Sequence, residues 1–275
     1  MKRLWLVVAS VLILIAIGAY FLLRPAPPTA PPVAIVSPAP IAPPPAATAP
    51  EPAILHPVPV PPGMTDVPPA AQSGDFVAKK ITELLGKKAV LTHLQMDDFV
   101  RRIVATVDNL PRSLAPPRRW PINPTPGRFS VDAGDGGKVI SANNAARYAP
   151  FVALVESVDA ARAVALYQQL YPLFQIAYEN LGYPRKHFND RLVAVIDHLL
   201  ATPEPAGALK VEVPVIQGPL KTTRPWLLYQ FSDPALEGLS SGQKILLRTG
   251  LDNEKRLKAK LAEYRKLLAS GNTRR

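Results

Sequence analysis

Residues 159–181, DAARAVALYQQLYPLFQIAYENL, decide the fold class. The apolar positions are Ala163, Val164, Tyr167, Leu170, Phe174, Ala177, Tyr178 and Leu181. Steps of three and four put them on one side of a 3.6-residue helix, a face that must be buried against other elements. Gly182 supplies a stop and Pro184 prevents continuation. A second helix is read at residues 189–200, with Leu192, Val193, Ile196, Leu199 and Leu200 inward and Pro203 beyond its end. Asn189 is its expected N-cap and Asp190 its acidic first turn.

Outward from these two, helical spacing recurs at residues 76–85, 96–110, 145–157, 240–248 and 251–269. The β content is small. Residues 129–131 and 138–140 flank Asp132-Ala-Gly-Asp-Gly-Gly137, which reads as a hairpin with a glycine-rich turn. Residues 209–215 alternate, and residues 227–231 are short and apolar. The expected fold class is mainly α with a few short β-strands, over residues 75–270. That length suffices for one sizeable core or two small ones. No internal repeat is visible.

The N-terminal part is different. Residues 4–23, LWLVVASVLILIAIGAYFLL, carry no charge and are long enough to cross a bilayer core as a helix. Apolar residues continue past the small ones at Ala16, Gly18 and Ala19, which argues for an uncleaved signal anchor over a removed signal peptide. Lys2 and Arg3 precede this segment, while Arg24 alone follows it closely. The positive-inside bias puts a tip of residues 1–3 in the cytoplasm and everything after Arg24 outside. The expected location is a bacterial inner membrane, single-pass, with a periplasmic C-terminal domain. Between Pro25 and Pro69 there are 18 prolines in 45 residues. Proline lacks an N–H, so residues 24–74 read as a tether in polyproline II, reaching at most ~140 Å. Pro43-Pro44-Pro45 is a potential ligand for an aromatic groove, but a semi-rigid spacer is the favoured reading of the stretch. Residues 271–275 read as a disordered tail.

There is no cysteine. Outside the cytoplasm this leaves the domain without disulfide staples, and it excludes thiol chemistry and thiolate metal sites. The net charge is +11. A pI near 9.9 usually points to nucleic acid, but the expected topology puts the domain on the wrong side of the membrane for it.

Three blocks carry a resemblance: VRRIVATVDNL at 100–110, FNDRLVAVIDHLLATP at 188–203, and RPWLLYQFSDPALEGLSSGQKILLRTG at 224–250. The chain resembles a family of bacterial membrane-anchored proteins catalogued as a domain of unknown function. The resemblance covers most of residues 75–269 and includes the anchor and the Pro/Ala tether. It implies an architecture and no activity, cofactor or site residue.

Several constellations admit two readings. His187, Asp190, Asp197 and His198 contain metal-ligating types, with Asp190 and Asp197 two turns apart, but no HExxH-like spacing occurs. A capped helix start and a polar helix face explain them too, and no metal or cofactor is expected. Asp97 and Asp98 are paired carboxylates, but adjacent helix residues do not converge across a cleft, and a first-turn role in the helix dipole fits them. Gly238-Leu-Ser-Ser-Gly242-Gln-Lys244 lacks the endings of a phosphate loop or a nucleophile elbow, so a serine N-cap is expected. From residue 109 to 131 there is no acid, while Arg112, Arg118, Arg119 and Arg128 accompany Trp120. These five form the candidate binding surface, holding an anionic or carbohydrate polymer by forked hydrogen bonds and stacking. A solvated loop with Trp120 tucked into the core is the other reading. The expected function is a tethered, non-enzymatic binding or scaffold module for an envelope protein or anionic polymer. A periplasmic cell-wall hydrolase or transferase with dispersed carboxylates is the alternative.

Overall fold

The apolar face of residues 159–181 is buried at Val164, Leu170, Phe174 and Tyr178, while Leu181 at its end is exposed, and the other elements are arranged around it. The computed structural model describes residues 53–59, 67–214 and 224–269, all within the unit Pro50–Arg275. The expected membrane span at 4–23, the tip at 1–3, most of the tether with its proline triplet, and the tail at 271–275 lie outside the described residues. Among the described residues, no helix is long and apolar enough to cross a membrane.

The order is α1 (Gly74–Leu85), α2 (Lys87–His93), α3 (Phe99–Asn109), β1 (Val131–Gly134), β2 (Gly137–Ile140), α4 (Asn143–Ser157), α5 (Ala160–Asn180) and α6 (Phe188–Leu200). Then come β3 (Lys210–Glu212), β4 (Gln230–Phe231), α7 (Pro234–Glu237), α8 (Ser241–Arg248) and α9 (Leu251–Ala269). The domain is mainly helical, with one antiparallel sheet in the order β1-β2-β3-β4.

Helix α5 starts at an N-cap, where the Asp159 side chain accepts the N–H of Arg162 at 2.7 Å. It runs through Pro172, whose missing N–H and ring clash cost a helix ~3 kcal/mol. Burial of Leu170, Leu173, Phe174 and Tyr178 offsets that, at ~1.5–3 kcal/mol for each fully buried large side chain. These four pack with Val77, Phe99, Val104 and Phe188, and the rings of Phe174 and Phe188 stack with centroids 5.6 Å apart. A second cluster joins Val164, Val193 and Ile196 to Leu268 on α9. The apolar stripe of the last helix therefore packs onto α5 and α6. Val211, Phe231 and Leu247 fix the sheet to α8.

Boundaries differ from the sequence expectation for local reasons. The hairpin turn is two residues, Asp135-Gly136, because Ala133 pairs with Lys138 and Gly134 with Gly137. Gly136 sits at φ 78, which such a turn needs. The last strand is confined to Gln230–Phe231, since Pro225–Leu227 form a 3₁₀ turn. Helix α3 begins only at Phe99. Asp98 is left-handed at φ 51 and pairs with Arg101, so neither Asp97 nor Asp98 lies in a first turn. Helix α6 begins at Phe188 with His187 at the N-cap position, and Asn189 is buried inside the helix, not capping it. Helix α2 was not expected. Gly86, at φ 83, separates it from α1 and leaves a piece too short for a periodic signal.

Candidate functional site

The five basic-loop candidates occupy three local settings. Arg112 follows the last turn of α3 and is spent on Asp108: its Nη2 lies 2.5 Å from Asp108 Oδ2 and donates to the Tyr183 hydroxyl at 2.9 Å. Arg191 on α6 donates to Asp108 Oδ1 at 3.1 Å, and Tyr183 donates to Oδ2 at 3.2 Å. Asp108 is only 4 % exposed, so this cation–anion cluster ties α3 to α6. Such a buried carboxylate persists because its lone pairs are met.

Arg118, Arg119 and Trp120 lie along the flank of α3. Arg102 fastens their backbone, donating to Arg118 O at 2.7 Å and Trp120 O at 3.4 Å, while Thr106 donates to Arg119 O at 3.2 Å. Both arginine side chains are exposed, with no acidic partner among the described residues. Trp120 is half-buried, and its Nε1 is shielded from solvent without an acceptor. It is not the exposed aromatic that stacking requires.

Arg128 finds an aromatic elsewhere. Its guanidinium sits 4.2 Å from the ring centroid of Trp226, at the end of the sheet. The loop before it is held by Arg147, which donates to Pro126 O at 3.0 Å and Gly127 O at 3.1 Å. Beside it, the rings of Phe129 and Tyr229 approach to 6.0 Å. Lys138 Nζ on β2 lies 3.2 Å from the Tyr229 hydroxyl, which it reaches from above the ring. Arg248 supports this face from below, donating to Tyr229 O at 3.1 Å and covering Phe231. Burial lowers the Arg248 pKa, though Glu237 opposes this. Leu227 is 67 % exposed at the rim. A guanidinium stacked on indole keeps its N–H edge free and its orientation fixed, which suits forked hydrogen bonds to carboxylate or phosphate. Neither Arg128 nor Lys138 has an acidic partner among the described residues.

Three of the four residues that suggested a metal have other partners. Asp190 accepts the backbone N–H groups of Leu55 and His56. Asp197 pairs with Arg265, whose hydrogen bond and charge lower its pKa. His198 Nε2 lies 2.8 Å from Ser240 Oγ. Ser240 in turn closes a capping box with Gln243, as the serine N-cap reading anticipated, so its hydroxyl is spent on the start of α8. Asp108 and Asp190 line one cleft of about 590 Å³ with Tyr178, Lys186 and His187. Both spend their oxygens on arginines or backbone N–H groups.

Trp226, Tyr229 and Lys138 were not singled out from sequence, because the sheet alone brings 128, 138 and 226–229 together. Their one local sign is an aromatic pair, Trp226 and Tyr229, in a short segment whose period is neither 2 nor 3.6. The model of a family described as "Protein of unknown function (DUF3014)" matches residues 99–265, from the start of α3 into the last turns of α9. No curated protein and no solved structure matches the chain.

Proposed function

The chain belongs to this family of proteins of unknown function, and from that premise we propose that it is a non-enzymatic binding module. It is mounted outside the cytoplasm on its N-terminal segment, and its sheet-end face holds an anionic envelope polymer. The observation that carries this reading is Arg128 stacked on Trp226 at 4.2 Å, with Lys138 over Tyr229 alongside. Cations held on aromatic faces bind repeated anionic groups without a deep pocket, and charge steering adds to the encounter rate. The exposed Arg118 and Arg119 add positive potential along α3. Support for a binder over a hydrolase comes from the two cleft carboxylates, Asp108 and Asp190, which are already engaged. General acid–base work needs a carboxyl that can exchange its proton with substrate.

The test is cosedimentation of the full-length protein with purified cell-wall sacculi. Wild type should sediment with them and be released as salt rises. Arg128→Ala, Trp226→Ala and Lys138→Ala should each reduce the bound fraction while leaving the circular dichroism spectrum unchanged. Binding that survives all three together would sink the assignment of this face. A reporter fused after Arg275 tests the mounting: activity in the cytoplasm rejects it.

A further inference from the structure

A different carboxyl has an oxygen that no hydrogen bond reaches. Helix α9 starts at Leu251 after Gly250, which stands at φ 91 and brings the backbone so near α4 that an added Cβ would lie 3.1 Å from the Cβ of Ala145. Asn253 fixes this junction, donating to Ala145 O at 2.9 Å and Thr249 O at 3.0 Å. That rotation turns the next residue, Glu254, into the protein, where it is 1 % exposed. Its Oε1 is shielded from solvent and accepts no hydrogen bond. Lys258, one turn on, is 3.9 Å away, but its Nζ donates to Thr202 O at 2.8 Å and Glu204 at 2.6 Å. A buried carboxyl without a donor is unfavourable unless something else meets it.

Glu254 lines a cleft of about 240 Å³ between the starts of α4 and α9 and the segment before β3. Given ~30 Å³ per water in the liquid, that is room for about eight waters or one small organic molecule. Its walls are largely apolar, with Ala145, Leu209, Leu247 and Leu251 among them. The other polar groups around it are occupied. Asn144 exchanges hydrogen bonds with Ser130, and Arg248 is held by Tyr229 O. Ser141 Oγ accepts the N–H of Asn143.

We propose that this cleft binds a small primary ammonium compound, with its charged head on the Glu254 carboxylate and its hydrocarbon body against Ala145, Leu209 and Leu247. An ammonium offers three donors in a compact head, which suits a carboxylate short of donors, and an alkyl body suits largely apolar walls. A neutral molecule of the same shape gains the wall contacts and forgoes the charge-assisted bonds. Burial pushes the Glu254 pKa up to about 7, so binding an ammonium expels a proton below that pH, and affinity rises as pH rises through it.

The experiment titrates n-butylammonium into the full-length protein and follows the melting temperature and the heat of binding. The expected result is saturable stabilisation by n-butylammonium, with 1-butanol, its neutral counterpart, markedly weaker. Glu254→Gln keeps the shape and removes the charge, and should weaken n-butylammonium by about tenfold or more, the factor that 1.4 kcal/mol represents. Ala208→Leu fills the exposed rim of the cleft without touching the carboxyl, and should abolish binding while melting like wild type. Nα-acetyl-lysine methylamide is run in parallel. Preference for it assigns a lysine side chain of a protein partner, and preference for n-butylammonium assigns a free amine. The proposal is overturned if neither compound binds, if 1-butanol binds equally, or if both variants bind as wild type does.

Discussion

Asp190 Oδ1 accepts the backbone N–H of His56 at 2.7 Å, joining the first turn of α6 to a segment 134 positions away in the chain. Its Oδ2 accepts the N–H of Leu55 at 3.1 Å, and the adjacent Asn189 donates to His56 O at 2.9 Å. Asn189 also accepts the hydroxyl of Tyr167 at 3.1 Å, so the clamp is braced from α5. Residues 53–59 are recognised through their main chain, in the way a sheet recognises an added strand. Pro57 and Pro59 stiffen the segment and lower the entropy lost on docking.

Asp190→Ala should release this segment while the domain stays folded. Hydrogen bonds to a charged acceptor contribute ~1.5–3 kcal/mol each, and two are lost. Amide exchange at Leu55 and His56 should accelerate, and protease should cut within residues 53–59. Unchanged protection at both amides rules the clamp out.

Asp108→Ala should destabilise the domain by about 3 kcal/mol in chemical denaturation, because Arg191 and Arg112 lose the charge that holds them. Arg112→Ala should cost less than ~1 kcal/mol, since that side chain is 51 % exposed and screened by water. Equal costs for the two changes would reject the asymmetry of this pair.

Trp120→Ala should lower stability by about 2–3 kcal/mol, below the ~3–5 kcal/mol of a fully buried aromatic, because Trp120 is only half-buried. Arg118→Ala and Arg119→Ala should stay within ~0.5 kcal/mol. A wild-type melting temperature for Trp120→Ala would return that ring to the surface.

Glu254 makes stability depend on pH in an unusual direction. Its folded pKa, about 7, stands above the ordinary 4.5, so the folded state holds the proton more tightly. The contribution is fully present below pH 4.5 and is lost as pH rises through about 7. Glu254→Gln stays neutral throughout. It should match wild type near pH 4.5 and exceed it above pH 7 by on the order of 2 kcal/mol. Parallel stability profiles for the two proteins would contradict this.

What was legible in the sequence follows the range of the forces involved. Helices α5, α6, α8 and α9 were readable because burial repeats every three or four residues, and Gly182 and Ser240 mark ends by local geometry. Strand ends were less so, since the pairing of Gly134 with Gly137 is decided across the hairpin. The site was legible only in part. Arg128 was identified by charge, but its partner Trp226 comes from 98 positions later, and no local spacing encodes that meeting. Asn189 carried the local mark of a cap, yet the docked segment at His56 takes that side chain for itself. Nothing local in the sequence marks Glu254 as buried, because its burial is imposed by Gly250 and Asn253 at the helix start.

The docked segment also has a mechanical meaning. A pull arriving along the chain from before Ala53 meets the bonds at Leu55 and His56 first, ahead of the junction with α1 at Gly74. The load therefore enters at Asn189 and Asp190, on a helix packed between α3 and α9, before it can reach the start of α1. The arrangement works as a strain relief, sparing the first helix from being peeled off the core when the chain is drawn tight.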